Sequence, residues 1–200
     1  DRQKLFVLKP LYQRVLIVFG GPLANFLLAI VIFFSIYTFI GKDFTPAVIN
    51  EVQKDSPAMT GGLKQNDIIL EIDGNKVESI MDVSKYITMS TDDIIDFKVK
   101  RSYDELILKI KPNLVAGEDN LGNKINKRMV GIKLGAYNNQ INHVKLGPAQ
   151  AIYHAINEVY YVSVSSLKYI GGMIVGKADT SQLGGPIRIA KISGQVAEFG

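Results

Sequence analysis

Few side chains in this sequence can do acid–base or metal chemistry. There are two histidines, His143 and His154, and no cysteine. The absence of cysteine removes thiolate zinc sites, cysteine nucleophiles and disulfides. His154 and Glu158 stand one helical turn apart, a spacing that suits a metal pair. Two ligands do not hold zinc, and no third histidine or cysteine completes them, so His154 reads as a surface histidine. The other notable polar group is Asn25, an amide inside a long apolar run. At membrane depth such an amide costs free energy unless it meets a partner. It reads either as helix–helix glue or as a wall of an intramembrane site, and the segment leaves both open. Gly21 precedes it by four residues and Ala29 follows by four, a smooth strip where another helix could approach closely.

The run that carries Asn25, Val15 to Ile40, has 26 residues and no charge. As a helix it would extend roughly 39 Å, enough to cross a hydrocarbon core of about 30 Å with some tilt. Core helices rarely run so long without a charge, and no small-x-small cleavage site follows, so a signal peptide fits poorly. The segment 15–41 is therefore expected to be a transmembrane helix. Residues 1–14 form a basic flank with four basic side chains and one acidic, whereas Lys42 is offset by Asp43. The positive-inside rule then puts the N-terminus in the cytoplasm and everything after Gly41 outside it. With 47% hydrophobic and 21% charged residues, the chain is neither disordered nor collagen-like.

Residues 45–112 alternate short strands with turns. Ala47 to Val52 and Ile68 to Ile72 read as strands, and Asp73-Gly74 as a turn. Ser56 caps a short helix that Pro57 opens, and Gly61-Gly62 closes it. Asp82 to Thr88 reads as a second helix, and Phe97 to Lys100 with Leu106 to Ile110 as a closing hairpin. Within this stretch, Ser56-Pro57-Ala58, Gly62-Leu63-Lys64, Asp67-Ile68-Ile69 and Ile72-Asp73-Gly74 resemble the central signature of bacterial, circularly permuted PDZ domains. That resemblance implies a domain binding an extended peptide, often a free C-terminus, added as a strand beside a helix. It places the groove between the strand of Ala47, Val48 and Ile49 and the helix carrying Val83 and Ile87. The hairpin turn Ser102-Tyr103-Asp104-Glu105 departs from the pattern, since it lacks the usual glycine.

Residues 113–146 read as a polar, basic connector that could touch anionic headgroups. Little aromatic interleaving argues against nucleic acid. Residues 147–200 read as amphipathic, membrane-associated helices. In the longer one, His154, Glu158, Tyr161, Ser165 and Lys168 make one polar stripe, with Ile152, Ile156, Val159, Leu167 and Ile170 elsewhere around it. A shorter helix is expected near Pro186. The fold class is thus an α+β membrane protein with one transmembrane helix, one PDZ domain and C-terminal amphipathic helices.

The order of the parts is more specific than any one of them. Gly21-Pro22-Leu23-Ala24-Asn25-Phe26, the PDZ signature, Gly147-Pro148 and Gln182-Leu183-Gly184-Gly185-Pro186-Ile187-Arg188-Ile189-Ala190 together resemble bacterial site-2 proteases. These are membrane zinc metalloproteases of the regulator-of-sigma-E-protease type. In that family His-Glu-x-x-His on an earlier helix supplies two zinc ligands and the water-activating glutamate, and a later Leu-Asp-Gly motif supplies the third ligand. Neither motif occurs here. The resemblance therefore implies an internal piece that binds no zinc, holds no catalytic residue and is inactive alone. The full protein would be a multi-pass, zinc-dependent enzyme of the bacterial inner membrane. It would cleave transmembrane substrates, with Gly21 and Asn25 near the active site. An extracytoplasmic PDZ domain would screen transmembrane proteins or peptides. The alternative is a membrane-anchored PDZ adaptor without catalysis. A trypsin-like PDZ protease has no room, because only Gly41 to Thr45 separate the apolar run from Pro46, and a transporter is disfavoured by the single clear span.

Overall fold

The computed structural model describes residues 9–118, 124–136 and 141–176, together with Gly194. They fall into two compact units, one drawn from Asp1–Lys42 and His143–Val164, the other from Asp43–Asn142 and Ser165–Gly200.

In the first unit, Pro10 starts the leading helix with φ −58°, and its carbonyl accepts from the Gln13 and Arg14 N–H groups. Helix α1 runs Leu11–Ser35, so the basic-flank residue Arg14 lies inside it, and none of its residues is buried. Pro22 sits mid-helix and has no N–H, which frees the Val18 carbonyl from its intrahelical bond. Ile36–Ile40 continues as one π-helical turn, closed by Gly41 N–H donating to the Ile36 carbonyl at 2.9 Å. Together, Leu11–Ile40 form a 30-residue helix long and apolar enough to cross a membrane. Gly41 ends it at φ +118°, where an added Cβ would lie 2.7 Å from His143 Nε2, so both backbone angle and space require glycine. A helix α4, Pro148–Ile174, begins in this unit. There Ala151 and Ala155 are buried and His154 and Glu158 half-buried, while Ile152, Tyr153 and Ile156 are exposed. The expected helix near Pro186 and the Gln182 to Ala190 motif lie outside the described residues.

The second unit holds the sheet. After β1 (Lys42–Asp43) come β2 (Ala47–Val52), α2 (Pro57–Thr60), β3 (Ile68–Ile72), β4 (Asn75–Lys76) and α3 (Ile80–Met89). Then follow β5 (Ile95–Arg101), β6 (Asp104–Ile110), β7 (Asn113–Glu118), β8 (Lys124–Met129) and β9 (Ile132–Ala136), while the last short strand, β10 (His143–Val144), belongs to the first unit. The main sheet runs β6-β5-β3-β2-β9 with β4 added beside β3, and all these pairings are antiparallel. β7 and β8 form a separate ribbon. Residues 113–146, expected as a connector, thus supply a hairpin and the closing strand of the sheet.

Period-two burial explains β5, where Ile95, Phe97 and Val99 are buried while Asp96 and Lys98 are not. They pack with Ile69, Ile72, Ile110, Ala58, Leu63, Val83 and Ile87 in one core. Each of these side chains larger than alanine adds about 1.5–3 kcal/mol on full burial. The β5–β6 turn, which lacks glycine, is made by Ser102 at φ +56°, the left-handed side that a tight mirror-image hairpin turn demands.

Candidate functional site

The residues expected to line a peptide groove form the core instead. Ala47, Val48, Ile49, Val83 and Ile87 are all buried, Ala47 and Ile49 completely. β2 pairs with β3 through Val48 and Ile68, and with β9 from Ala47–Ala136 to Val52–Ile132. One edge of β2 is therefore taken by β9 along its length, and the other meets β3 around Val48 and Ile49. Among the described residues the main sheet ends at β9, which pairs with β2, and α3 packs near β9 as well as β2, β3 and β8. β9 comes from the stretch that sequence polarity marked as connector.

Several local anchors hold this edge. Ile132 and Leu134 are half-buried against the core, while Lys133 points outward to Glu51 at 2.8 Å. The turn into β9 is fixed by two backbone bonds, from Ala58 N–H to the Val130 carbonyl at 2.8 Å and from Gln53 N–H to the Gly131 carbonyl at 2.9 Å. Gly131 adopts φ +80°, and a Cβ there would fall 2.4 Å from the Ser56 Cβ. Ser56 is itself the cap of α2, its hydroxyl accepting from Met59 N–H.

Helix α3 is set by a capping box. Ser79 Oγ accepts from Asp82 N–H, and the Asp82 carboxylate accepts from Ser79 N–H at 2.9 Å and Glu78 N–H at 3.1 Å. After its C-terminus, Arg128 from β8 donates to the Ser90 and Asp92 carbonyls. Burial pulls the Arg128 guanidinium below its ordinary range, against the opposing pull of Asp93, Asp73 and Asp92. The Gly62 to Asp67 loop is pinned by a fully buried carboxylate. Asp67 accepts from Arg101 Nε and Nη2, both at 2.7 Å, and from Lys64 N–H at 2.9 Å. Arg101 also donates to the Gly62 carbonyl, and its hydrogen bonds to Asp67 raise its pKa. This pair gives the Gly62-Leu63-Lys64 and Asp67 signature a structural reason that spacing did not reveal.

Gly21 and Asn25 lie on the exposed surface of α1, and nothing stands within 4 Å of a Cβ built on Gly21. No described residue is brought against them. The described residues do not fit a zinc site: no three of their His, Asp or Glu side chains converge. His143 Nε2 meets the Ile40 carbonyl at 3.1 Å, and His154 Nδ1 meets Lys42 Nζ at 3.2 Å. His154, expected on the surface, is thus half-buried against the end of α1.

Solved structures similar to part of the chain include the PDZ domain of an SdrC-like protein from Listeria monocytogenes, 26% identical, covering 46% of this chain and 88% of that one at a TM-score of 0.35. Its counterpart from Listeria innocua is 25% identical over 48% of this chain and 99% of that one, with a TM-score of 0.36. Among curated relatives, a candidate zinc metalloprotease of Agrobacterium fabrum is 34% identical over 95% of this chain and 50% of its own length. The metalloprotease MmpA of Caulobacter vibrioides is 30% identical over 96% of this chain and 48% of its own. The chain thus spans about half the length of the curated relatives it matches. The family model of peptidase family M50 matches residues 1–200. The match takes in helix, sheet unit and following segment alike, as the site-2 protease resemblance does, and this chain belongs to peptidase family M50.

Proposed function

We propose that this chain is part of a membrane-embedded zinc metalloprotease that cleaves transmembrane substrates, supplying one core helix and the module that screens them. In this reading α1 is a spanning helix whose Gly21 and Asn25 approach the active site, and residues elsewhere in the complete protein hold the zinc. The basic flank keeps the N-terminus cytoplasmic, and the sheet unit works outside the inner membrane. The exposed Ile152 and Ile156 of α4 meet lipid.

The observation that carries the screening role is the edge of β9 beside α3. An extended peptide added there as a further strand would gain backbone hydrogen bonds, while α3 and the half-buried Ile132 and Leu134 read its side chains. The test uses the whole chain in detergent with a library of free C-terminal peptides. Binding should slow amide exchange on Ile132–Ala136 and leave the already paired β2 unchanged. Failure of every peptide to protect β9, or binding that protects only other elements, refutes the reading.

A further inference from the structure

Along β9 alternate residues face the core. Ile132 and Leu134 pack against it, so Lys133 and Gly135 face the outward side. Lys133 meets Glu51 there at 2.8 Å. Gly135 is a different case. Its backbone is not in the left-handed region, so conformation does not require a glycine. Space does: a Cβ built on it would fall 2.0 Å from Asn50 Nδ2, 2.7 Å from Asn50 Cγ and 2.8 Å from Asn50 Oδ1. The Asn50 side chain therefore lies across β9, in the place where residue 135 would carry its own. The β2–β9 register shifts between Ile49 and Glu51, and Asn50 is the extra residue, which is how a bulge re-aims a side chain. Asn50 is exposed, and among the described residues its amide has no hydrogen-bond partner. An amide able to donate and accept thus stands open over the last strand of the sheet.

We infer that Asn50 and Gly135 form a specificity notch, selecting a peptide with an amide or hydroxyl side chain at the position beside Gly135. The inference rests on the reading that an extended peptide adds to the edge of β9. Side chains opposite each other in neighbouring strands start about 4.5–5.5 Å apart. The Asn50 amide sits where the side chain of residue 135 would begin. A polar atom one or two bonds beyond the peptide Cβ therefore spans the gap to hydrogen-bonding distance. Serine, threonine, asparagine or glutamine can each complete the amide. A leucine there would cover it with an apolar group and take away its water without replacing it. The peptide positions on either side face α3, Ile132 and Leu134, where apolar side chains fit. The next outward position lies beside Lys133, whose charge Glu51 already meets. The recognition pattern is therefore apolar, polar, apolar, with the choice of amide or hydroxyl confined to one position.

The test starts from the free C-terminal peptide that best protects β9 of the whole chain in detergent. Each of its positions is replaced in turn by asparagine, serine and leucine, and affinity is read by fluorescence anisotropy. At one position asparagine or serine should bind about threefold to tenfold tighter than leucine, the worth of one neutral hydrogen bond. Asn50→Ala should remove that preference while peptide protection of Ile132–Ala136 persists. Gly135→Ala should remove it independently, because its Cβ displaces the Asn50 amide from above β9, and this covers the case in which Asn50→Ala misfolds. Peptides that protect β9 with no such preference at any position overturn the notch and leave the β9 reading standing. A preference that survives in either folded variant does the same. If no peptide protects β9, both fall.

Discussion

Replacing Arg101 with methionine should cost the sheet unit about 3–5 kcal/mol, because it strands a buried carboxylate. Asp67 is fully buried and draws two of its three recorded hydrogen bonds from that guanidinium, keeping only Lys64 N–H when it is gone. Asp67→Asn is a milder loss. The Arg101 side chain is 27% exposed and still donates to the Gly62 carbonyl, so its charge stays hydrated and partnered. That variant should cost about 1–2 kcal/mol, the scale of a lost charge-assisted bond with a neutral acceptor left in place. The two costs should therefore differ by about 2 kcal/mol, and the double variant should cost less than their sum. A domain of this size holds only about 5–15 kcal/mol in total, so Arg101→Met brings it near its unfolding threshold. Pulse proteolysis of the whole chain across a urea series reads each value, scored on cleavage within 43–142. Equal costs for the two single variants, or an Arg101→Met cost under about 1 kcal/mol, refute the argument.

Three further outcomes are expected. Gly131→Ala, forced to φ +80° and against the Ser56 Cβ, should cost at least about 2 kcal/mol and lower the melting temperature of the sheet unit; an unchanged melting curve contradicts it. Asn25→Ala in the complete protease should reduce substrate cleavage while expression and membrane insertion stay normal. Cleavage at the wild-type rate means Asn25 serves only helix packing, worth about 0.6–2 kcal/mol. A reporter that works only outside the cytoplasm, fused after Pro112, should be active, and activity of a cytoplasmic reporter at that position shows the reverse orientation.

Much of the fold was legible because its signals are local. β2 and β3 fall at Ala47–Val52 and Ile68–Ile72 as the apolar runs indicated, and Ser56-Pro57 opens α2 as capping chemistry requires. Helix α3 starts earlier than its apolar residues imply, because the Ser79–Asp82 box fixes its first turn. β7, β8 and β9 escaped for a different reason. A two-stranded ribbon has little core to face, so Leu114 and Val115 stay largely exposed among lysines and asparagines. β9 offers only Ile132 and Leu134 as a period-two signal. What makes it a strand is its long-range partner β2, and sequence distance hides partners. Which strand ends the sheet was hidden for the same reason, since an edge is a property of the sheet and not of the strand. In α4 the periodicity was legible but its facing was not. Small Ala151 and Ala155 admit close packing on one side, leaving the bulkier Ile152 and Ile156 outside.

The late position of β9 in the chain has a consequence for biogenesis. As the polypeptide emerges, β2 can pair with β3 as soon as Ile68 appears, but its other edge stays bare until Ile132 has been made. For that interval a row of unsatisfied N–H and C=O groups stays open, the situation that invites pairing with foreign strands. Its closure is a long loop, slow in folding terms, and the Val130–Gly131 turn clamped onto α2 is what ends the wait. Lesions at Gly131 should therefore show up first as aggregation during synthesis, before any loss of stability in the molecules that do mature.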